Sequence, residues 1–413
     1  MDKIKEIKIL SSLEKIYDRD KMPTDGYKGF SMLKNEKKSF QLAIEASEEC
    51  SVDLIYEGTV KDIRIYTVEH IKSDFPMWKK GADDYYRFSE SGYYPDLLLP
   101  SDGTVNVRKG ITVLWLEVDA VHNNAGKHRI DFTVGGRKAG IDIEIIDAEL
   151  DFRDFVYTCW FHTDCLMSYY KFEAFSDEYW RVTENFLKTA AEYGMSCVLT
   201  PIFTPPLDTQ KGKERPTVQL IDITVENGEY SFNFDKLTRW IEMAHRCGIE
   251  YFELAHFYTQ WGAKHPPKIM ATVDGTYKKI FGWKTRAGSR RYKDFLAALS
   301  VELKKYLEER NLKNKVFIHV SDEPNASMLR TYKKASGHIH SLFEGYKIID
   351  ALSDYSFYKK KIVTNPIPAT DHIDKFLGNV DNLLTYYCSA QTNHNVANRF
   401  FCNDSIRTRV IGY

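Results

Sequence analysis

The sequence predicts an α/β protein in two parts: an all-β sandwich over residues 1–150, then a (β/α)8-type barrel over 151–413 that stops short of its eighth strand. Three observations predict it. Apolar residues alternate with period two up to about residue 150. Beyond Asp151 strand-like runs alternate with helices of period 3.6, and seven such strands can be counted before Tyr413. A chain of 413 residues is also long enough to bury two cores.

The period-two runs are Phe40 to Ile44, Ile63 to Tyr66, Val113 to Val118, Ile130 to Val134 and Ile141 to Ile145, separated by turn signals such as Asn123-Asn124-Ala125-Gly126 and Gly135-Gly136. They predict an antiparallel sandwich. In the second part Phe155 to Asp164 reads as a strand, and Ser176 caps a helix running to Tyr193 with Val182, Phe186, Leu187 and Ala190 on one face. Met195 to Phe203 is the next strand, followed by an insertion at 205–232. Helix 235–247, with Leu237, Trp240, Ile241 and Ala244 inward, ends at Gly248 and leads into strand Ile249 to Phe257. After a long segment come helix 291–310 (Phe295, Leu299, Leu303, Leu307), strand Lys315 to Ser321 and helix 325–344 (Met328, Tyr332, Ala335, Ile339, Leu342). Strands at 346–352, 361–365 and 382–388 and a final helix near 404–412 complete the pattern, for which a doubly wound open sheet is the rival.

Fifty-seven basic residues against 58 acidic ones leave a net charge of -1, which removes the electrostatic case for a nucleic-acid partner. No run is long and apolar enough to span a bilayer, and the start contains no apolar stretch of signal-peptide length. The 7 cysteines show no Cys-x-x-Cys spacing and suit free thiols, so the expected compartment is the cytoplasm. A neutral small molecule is the expected partner, and nothing calls for a cofactor.

In a parallel barrel the chemistry sits at the carboxyl ends of strands. That rule selects His162 and Asp164, His256, Ser321-Asp322-Glu323-Pro324, Asp350, and Tyr386 with Tyr387. Acids just before a proline can simply cap the helix that begins near Asn325. Two carboxylates facing a barrel mouth can instead do acid–base chemistry. Ordinary glycosidases hold their two carboxyl groups across the sugar, about 5 to 9.5 Å apart, whereas adjacent side chains approach from one side. Such a pair suits a substrate that supplies its own nucleophile, a 2-acetamido group, with Glu323 as acid and then base and Asp322 on the acetamido N–H. His162 and Asp164 are placed to bind sugar hydroxyls. His256 lies at a strand end before an aromatic loop in which Trp261 offers a stacking face; Trp283, Tyr386 and Tyr387 are further aromatic candidates. Two other readings use the same residues: a metal-dependent hydrolase with ligands His162, Asp164, His256 and Asp322, and a sugar-binding protein without turnover.

Taken in order, several segments resemble glycoside hydrolase family 123. They are Glu36 to Gln41, Tyr94 to Pro100, Trp115-Leu116-Glu117-Val118 followed by Ala125-Gly126, Trp160-Phe161-His162-Thr163-Asp164, His256 with Trp261-Gly262-Ala263, Ser321-Asp322-Glu323-Pro324, Asn398-Arg399-Phe400 and Arg407 to Tyr413. The resemblance implies a β-sandwich ahead of a catalytic barrel and a β-N-acetylgalactosaminidase. It also implies that Asp322 stabilises the acetamido group and that Glu323 is the general acid/base. Family members usually continue beyond the position of Tyr413 with an aromatic-rich strand that helps build the sugar pocket.

Overall fold

The computed structural model describes residues 3–74, 90–150, 155–207, 209–260 and 262–386. Among these, 3–150 form one compact unit and 155–386 another.

The first unit consists of ten strands: β1 (Ile4–Ser11), β2 (Gly29–Leu33), β3 (Lys37–Ala46), β4 (Cys50–Gly58), β5 (Ile63–Ser73), β6 (Gly92–Pro100), β7 (Thr104–Val107), β8 (Gly110–Asp119), β9 (Gly126–Val134) and β10 (Arg137–Ile146). They form two five-stranded sheets, ordered β1-β3-β8-β5-β6 and β2-β10-β9-β4-β7. The alternation explains the sandwich. In β10 Ile141, Ile143 and Ile145 are buried while Asp142, Glu144 and Ile146 face out, and Phe40 of β3 meets Phe132 of β9 with ring centroids 6.0 Å apart. Inner strand β3 is buried on both faces, because Ala43 packs with Leu10, Val113 and Ile16 behind the sheet. One expectation needs correction: the unit is not wholly antiparallel, since β2 pairs with β10 in parallel.

The second unit runs α1 (Thr163–Tyr170), α2 (Asp177–Glu192), β11 (Cys197–Thr200), β12 (Asp222–Glu226), β13 (Glu229–Asn233), α3 (Asp235–Arg246), β14 (Tyr251–Leu254), β15 (Ile269–Val273), β16 (Thr276–Phe281), α4 (Arg290–Glu309), β17 (Val316–His319), α5 (Leu329–Leu342), β18 (Lys347–Ala351), α6 (Tyr355–Lys359) and β19 (Asn365–Ile367). Its main sheet is parallel and follows chain order, β11-β14-β17-β18-β19. Isolated parallel bridges also join Thr158 to Cys197 of β11 and Ala369 to Tyr386. A doubly wound sheet reverses its order at a switch point, and this one does not. The helix-facing side carries Val198, Phe252, Leu254, Val316, Ile318 and Ile348, packed with Trp240, Ala244, Leu299, Leu303 and Ile339 of α3, α4 and α5. The opposite side is buried as well, around Cys197, Phe317 and Ile349.

Several predicted elements differ in the structure. The expected strand from Phe155 to Asp164 keeps a single bridge at Thr158, because the chain enters α1 at Thr163. Phe186, expected inward on α2, is exposed and stacks on Phe161, while Tyr179 and Trp180 fill the buried face. The strand expected at 361–365 lies at Asn365–Ile367, since Lys361 takes a left-handed turn after α6 (φ 55°). That expected at 382–388 is one bridge at Tyr386 among the described residues, and the helix near 404–412 lies outside them. Among the described residues the parallel sheet has five full strands rather than seven. The insertion expected at 205–232 and the long segment after β14 carry strands that the sequence reading did not assign: the first forms hairpin β12–β13, the second β15–β16, and they join as the sheet β13-β12-β15-β16.

Candidate active site

Three of the parallel strands each carry an ionisable group near the carboxyl end, a costly choice inside an apolar sheet unless the groups are paired. Glu253 of β14, His319 of β17 and Asp350 of β18 are fully buried and form one chain. His319 Nε2 lies 2.5 Å from Glu253 Oε1, and His319 Nδ1 lies 3.5 Å from Asp350 Oδ1. Burial alone would keep the imidazole neutral, but the two carboxylates outweigh it and raise the His319 pKa to about 10. Burial pushes Glu253 up, yet the imidazolium and hydrogen bonds from His319, Trp160 and Thr158 leave its pKa below the ordinary value. For Asp350 burial prevails over its hydrogen bonds and the pKa is raised.

Both ends of this chain are tied to the site. At one end Glu253 accepts from Trp160 Nε1 at 2.9 Å and from Thr158 Oγ1 at 3.2 Å. At the other, Asp350 Oδ1 accepts the backbone N–H groups of Val320 (2.9 Å) and Ser321 (3.2 Å), while the Tyr332 hydroxyl donates to Oδ2. Ser321 Oγ also donates to the Thr259 carbonyl at 2.8 Å. The β14 loop therefore lies against the β17 loop, and a methyl group on Gly262 (φ 101°) would sit 3.0 Å from Met328 Cγ.

The segment held this way is Ser321-Asp322-Glu323-Pro324. Asp322 is partly buried, whereas Glu323 is exposed, has φ 40° and accepts a hydrogen bond from the Tyr386 hydroxyl. A left-handed non-glycine residue costs on the order of 1–3 kcal/mol and persists only where its surroundings over-determine it. Here the grip of Asp350 before it and Tyr386 upon it supply that constraint. The helix-capping explanation for the acids loses its role, because Asn325 caps the following turn, its Oδ1 accepting from Ser327 N at 3.1 Å.

The other sequence candidates separate. His256 reaches the site: its ring stacks on His319 with centroids 4.2 Å apart and stands edge-on to Trp160 at 5.5 Å. It is fully buried, and neither ring nitrogen has a hydrogen-bond partner among the described residues. Burial, then the charges of His319 and of His162, hold its pKa well below the usual imidazole value, so His256 is neutral. His162 stands at the N-cap of α1. Asp164 is engaged elsewhere, in a part-buried fork with Arg215 (Nε to Oδ2 2.8 Å, Nη2 to Oδ1 2.9 Å) that fastens the insertion after β11. Trp283 donates Nε1 to the Lys213 carbonyl between the two insertions. Tyr386 meets Glu323, while Trp261 and Tyr387 lie outside the described residues. The metal-ligand set His162, Asp164, His256 and Asp322 finds no support in this geometry: among the described residues no three His, Cys, Asp or Glu side chains converge as a metal site, and Asp164 is committed to Arg215. Sequence reasoning passed over Glu253, His319 and Trp160. The signal available was a carboxylate and an imidazole interrupting the apolar strands Tyr251–Leu254 and Val316–His319.

The carboxylate pair thus follows the strand whose last residue, His319, belongs to the buried charge chain, with the Tyr386 hydroxyl on Glu323. The family described as glycoside hydrolase 123, catalytic domain, matches residues 160–413. Among solved structures the chain is similar in fold to a family 123 glycoside hydrolase from Clostridium perfringens, studied for the details of glycolipid glycan hydrolysis; the TM-score is 0.66 at 17% identity, covering 92% of this chain and 71% of that one. The CBM22-1 and GH10 modules of Clostridium thermocellum endo-1,4-beta-D-xylanase 10B, complexed with xylohexaose, overlap at a TM-score of 0.26 with 8% identity, covering 82% and 70%, and carry no argument. No curated protein matches the chain. The chain belongs to glycoside hydrolase family 123 and is a glycoside hydrolase of mixed α/β fold.

Proposed function

We propose that this enzyme removes terminal β-linked N-acetylgalactosamine from a glycan, with retention, using the sugar's 2-acetamido group as nucleophile. The carrying observation is the adjacent pair at the end of β17: Asp322 partly buried, Glu323 turned out of strand geometry and hydrogen-bonded by Tyr386. In the first step the acetamido carbonyl oxygen attacks C1 as the C1–O bond to the leaving group breaks. Glu323 delivers its proton to that oxygen, and Asp322 accepts the acetamido N–H as positive charge grows on the forming oxazolinium ring. In the second step water attacks C1 and gives its proton to Glu323, the ring reopens, and the sugar leaves with its anomeric configuration retained.

The same reading has the pair at the mouth of a (β/α)8 barrel over 151–413, which follows a sandwich domain over 1–150 in the sequence. Two features support the barrel: the strand order follows the chain, and the sheet is buried on its helix-free side. The Clostridium perfringens relative is described for glycolipid glycans, and such a glycan is one source of the terminal sugar. Cytoplasmic location belongs to the proposal, supported by free thiols at Cys50, Cys159, Cys165, Cys197 and Cys247.

The test is nitrophenol release from the β-nitrophenyl glycosides of N-acetylgalactosamine, N-acetylglucosamine and galactose. Turnover confined to the acetamido sugars, with N-acetylgalactosamine preferred and strong inhibition by a thiazoline mimic of the intermediate, is expected. Cleavage of the galactoside at a comparable rate would refute acetamido participation. Saturable binding without turnover would leave a sugar-binding protein.

A further inference from the structure

Trp160 is 38% exposed although its one polar atom, Nε1, is hydrogen-bonded inward to the fully buried Glu253. The surface it offers is therefore purely apolar and aromatic. The ring has little freedom: it stands at 84° to His256 and 86° to His319, and the stacked imidazoles beneath are themselves buried. Its position is also tied to the catalytic segment. From Trp160 the chain of polar contacts runs through Glu253, His319 and Asp350 to the backbone N–H of Ser321, the residue before Asp322.

An exposed apolar plate joined by buried contacts to the segment that carries a carboxylate pair has a natural use in sugar recognition. In a galacto-configured pyranose the axial O4 places the C3, C4 and C5 hydrogens on one face, which makes a continuous apolar patch. In the gluco epimer the C4 hydrogen lies on the opposite face and the patch is broken. A flat aromatic surface therefore prefers the galacto sugar without any hydrogen bond to O4.

We infer that Trp160 is the stacking platform that selects the galacto over the gluco sugar, and that Glu253 is its positioning residue, set by the buried chain that also holds the Ser321 backbone. The inference rests on the proposed hexosaminidase activity and deepens it.

The experiment compares kcat/KM for the two β-nitrophenyl N-acetylhexosaminides in the wild-type chain and in Trp160→Ala, Trp160→Phe, Glu253→Gln and the Trp160→Phe/Glu253→Gln double variant. An aromatic contact contributes about 0.5–1.5 kcal/mol, so Trp160→Ala lowers the galacto:gluco ratio by about 2- to 12-fold, chiefly through KM. Because Glu253 acts through the indole N–H, the ratio changes of Trp160→Phe and Glu253→Gln do not multiply in the double variant. Quenching of tryptophan fluorescence by N-acetylgalactosamine is lost in Trp160→Phe and kept in Glu253→Gln, and a cooperative calorimetric melt of each variant reports its folding. An active wild-type enzyme whose ratio is unchanged in Trp160→Ala overturns the platform alone. Multiplying effects overturn the positioning role of Glu253. A wild-type chain that cleaves neither sugar overturns the functional reading and the platform with it.

Discussion

Replacing His319 by Gln removes the imidazolium between two carboxylates whose side chains are 3% and 1% exposed. Breaking a buried ion pair by deleting one partner costs about 3–5 kcal/mol, because the remaining charge has neither water nor counter-charge. A unit of this size loses about 2–4 °C of melting temperature per kcal/mol, so the second unit should melt roughly 6–20 °C lower at neutral pH. The pH dependence gives a sharper signature. The His319 pKa rises from 6.5 to about 10 on folding, so the folded state binds the extra proton between those values. Its contribution is complete below the unfolded pKa and is lost as pH climbs through the folded one, with a slope of at most ~1.4 kcal/mol per pH unit. His319→Gln should abolish that decline, bringing the two melting curves together as alkaline pH is approached. Calorimetric melting of both proteins at intervals from about pH 6 to about pH 9 tests this. Parallel curves, or melting temperatures within about 2 °C at neutral pH, would show that the imidazole carries no proton and that the chain is not a charged array.

Glu323→Gln should lower kcat by about 10²- to 10⁴-fold on substrates with poor leaving groups and much less on nitrophenyl glycosides, whose departure needs little protonation; equal losses on both would refute the acid role. Asp322→Asn should slow acetamido substrates while leaving inhibition by free N-acetylgalactosamine nearly intact, and a variant that loses sugar binding and rate in equal measure would place Asp322 in ground-state binding only. Arg215→Ala leaves Asp164 buried and unpaired, at a cost of about 3–5 kcal/mol in denaturant unfolding. Lys cannot restore the two-pronged contact, so Arg215→Lys should recover little of the loss; full recovery would mean that the fork is not structural.

The sequence by itself determined most of the element types and their order along the chain. Period-two alternation named the sandwich, and the helices with Trp240, Leu299 and Ile339 inward appear where their spacing puts them. The Ser-Asp-Glu-Pro segment ends a strand of the parallel sheet, as the apolar run before it implies. Tertiary structure alone decided the rest. Glu253, His319 and Asp350 are separated by long stretches of chain, and only parallel pairing of β14, β17 and β18 makes them neighbours. The exposed Trp160 is oriented by Glu253, through a hydrogen bond spanning 93 positions, and by the rings of His256 and His319. Asp164 reads as a free strand-end carboxylate until Arg215, 51 positions on, closes over it. Periodicity reports which face of one element is buried. A polar group's use depends on which distant partner reaches it, and burial makes that partner obligatory.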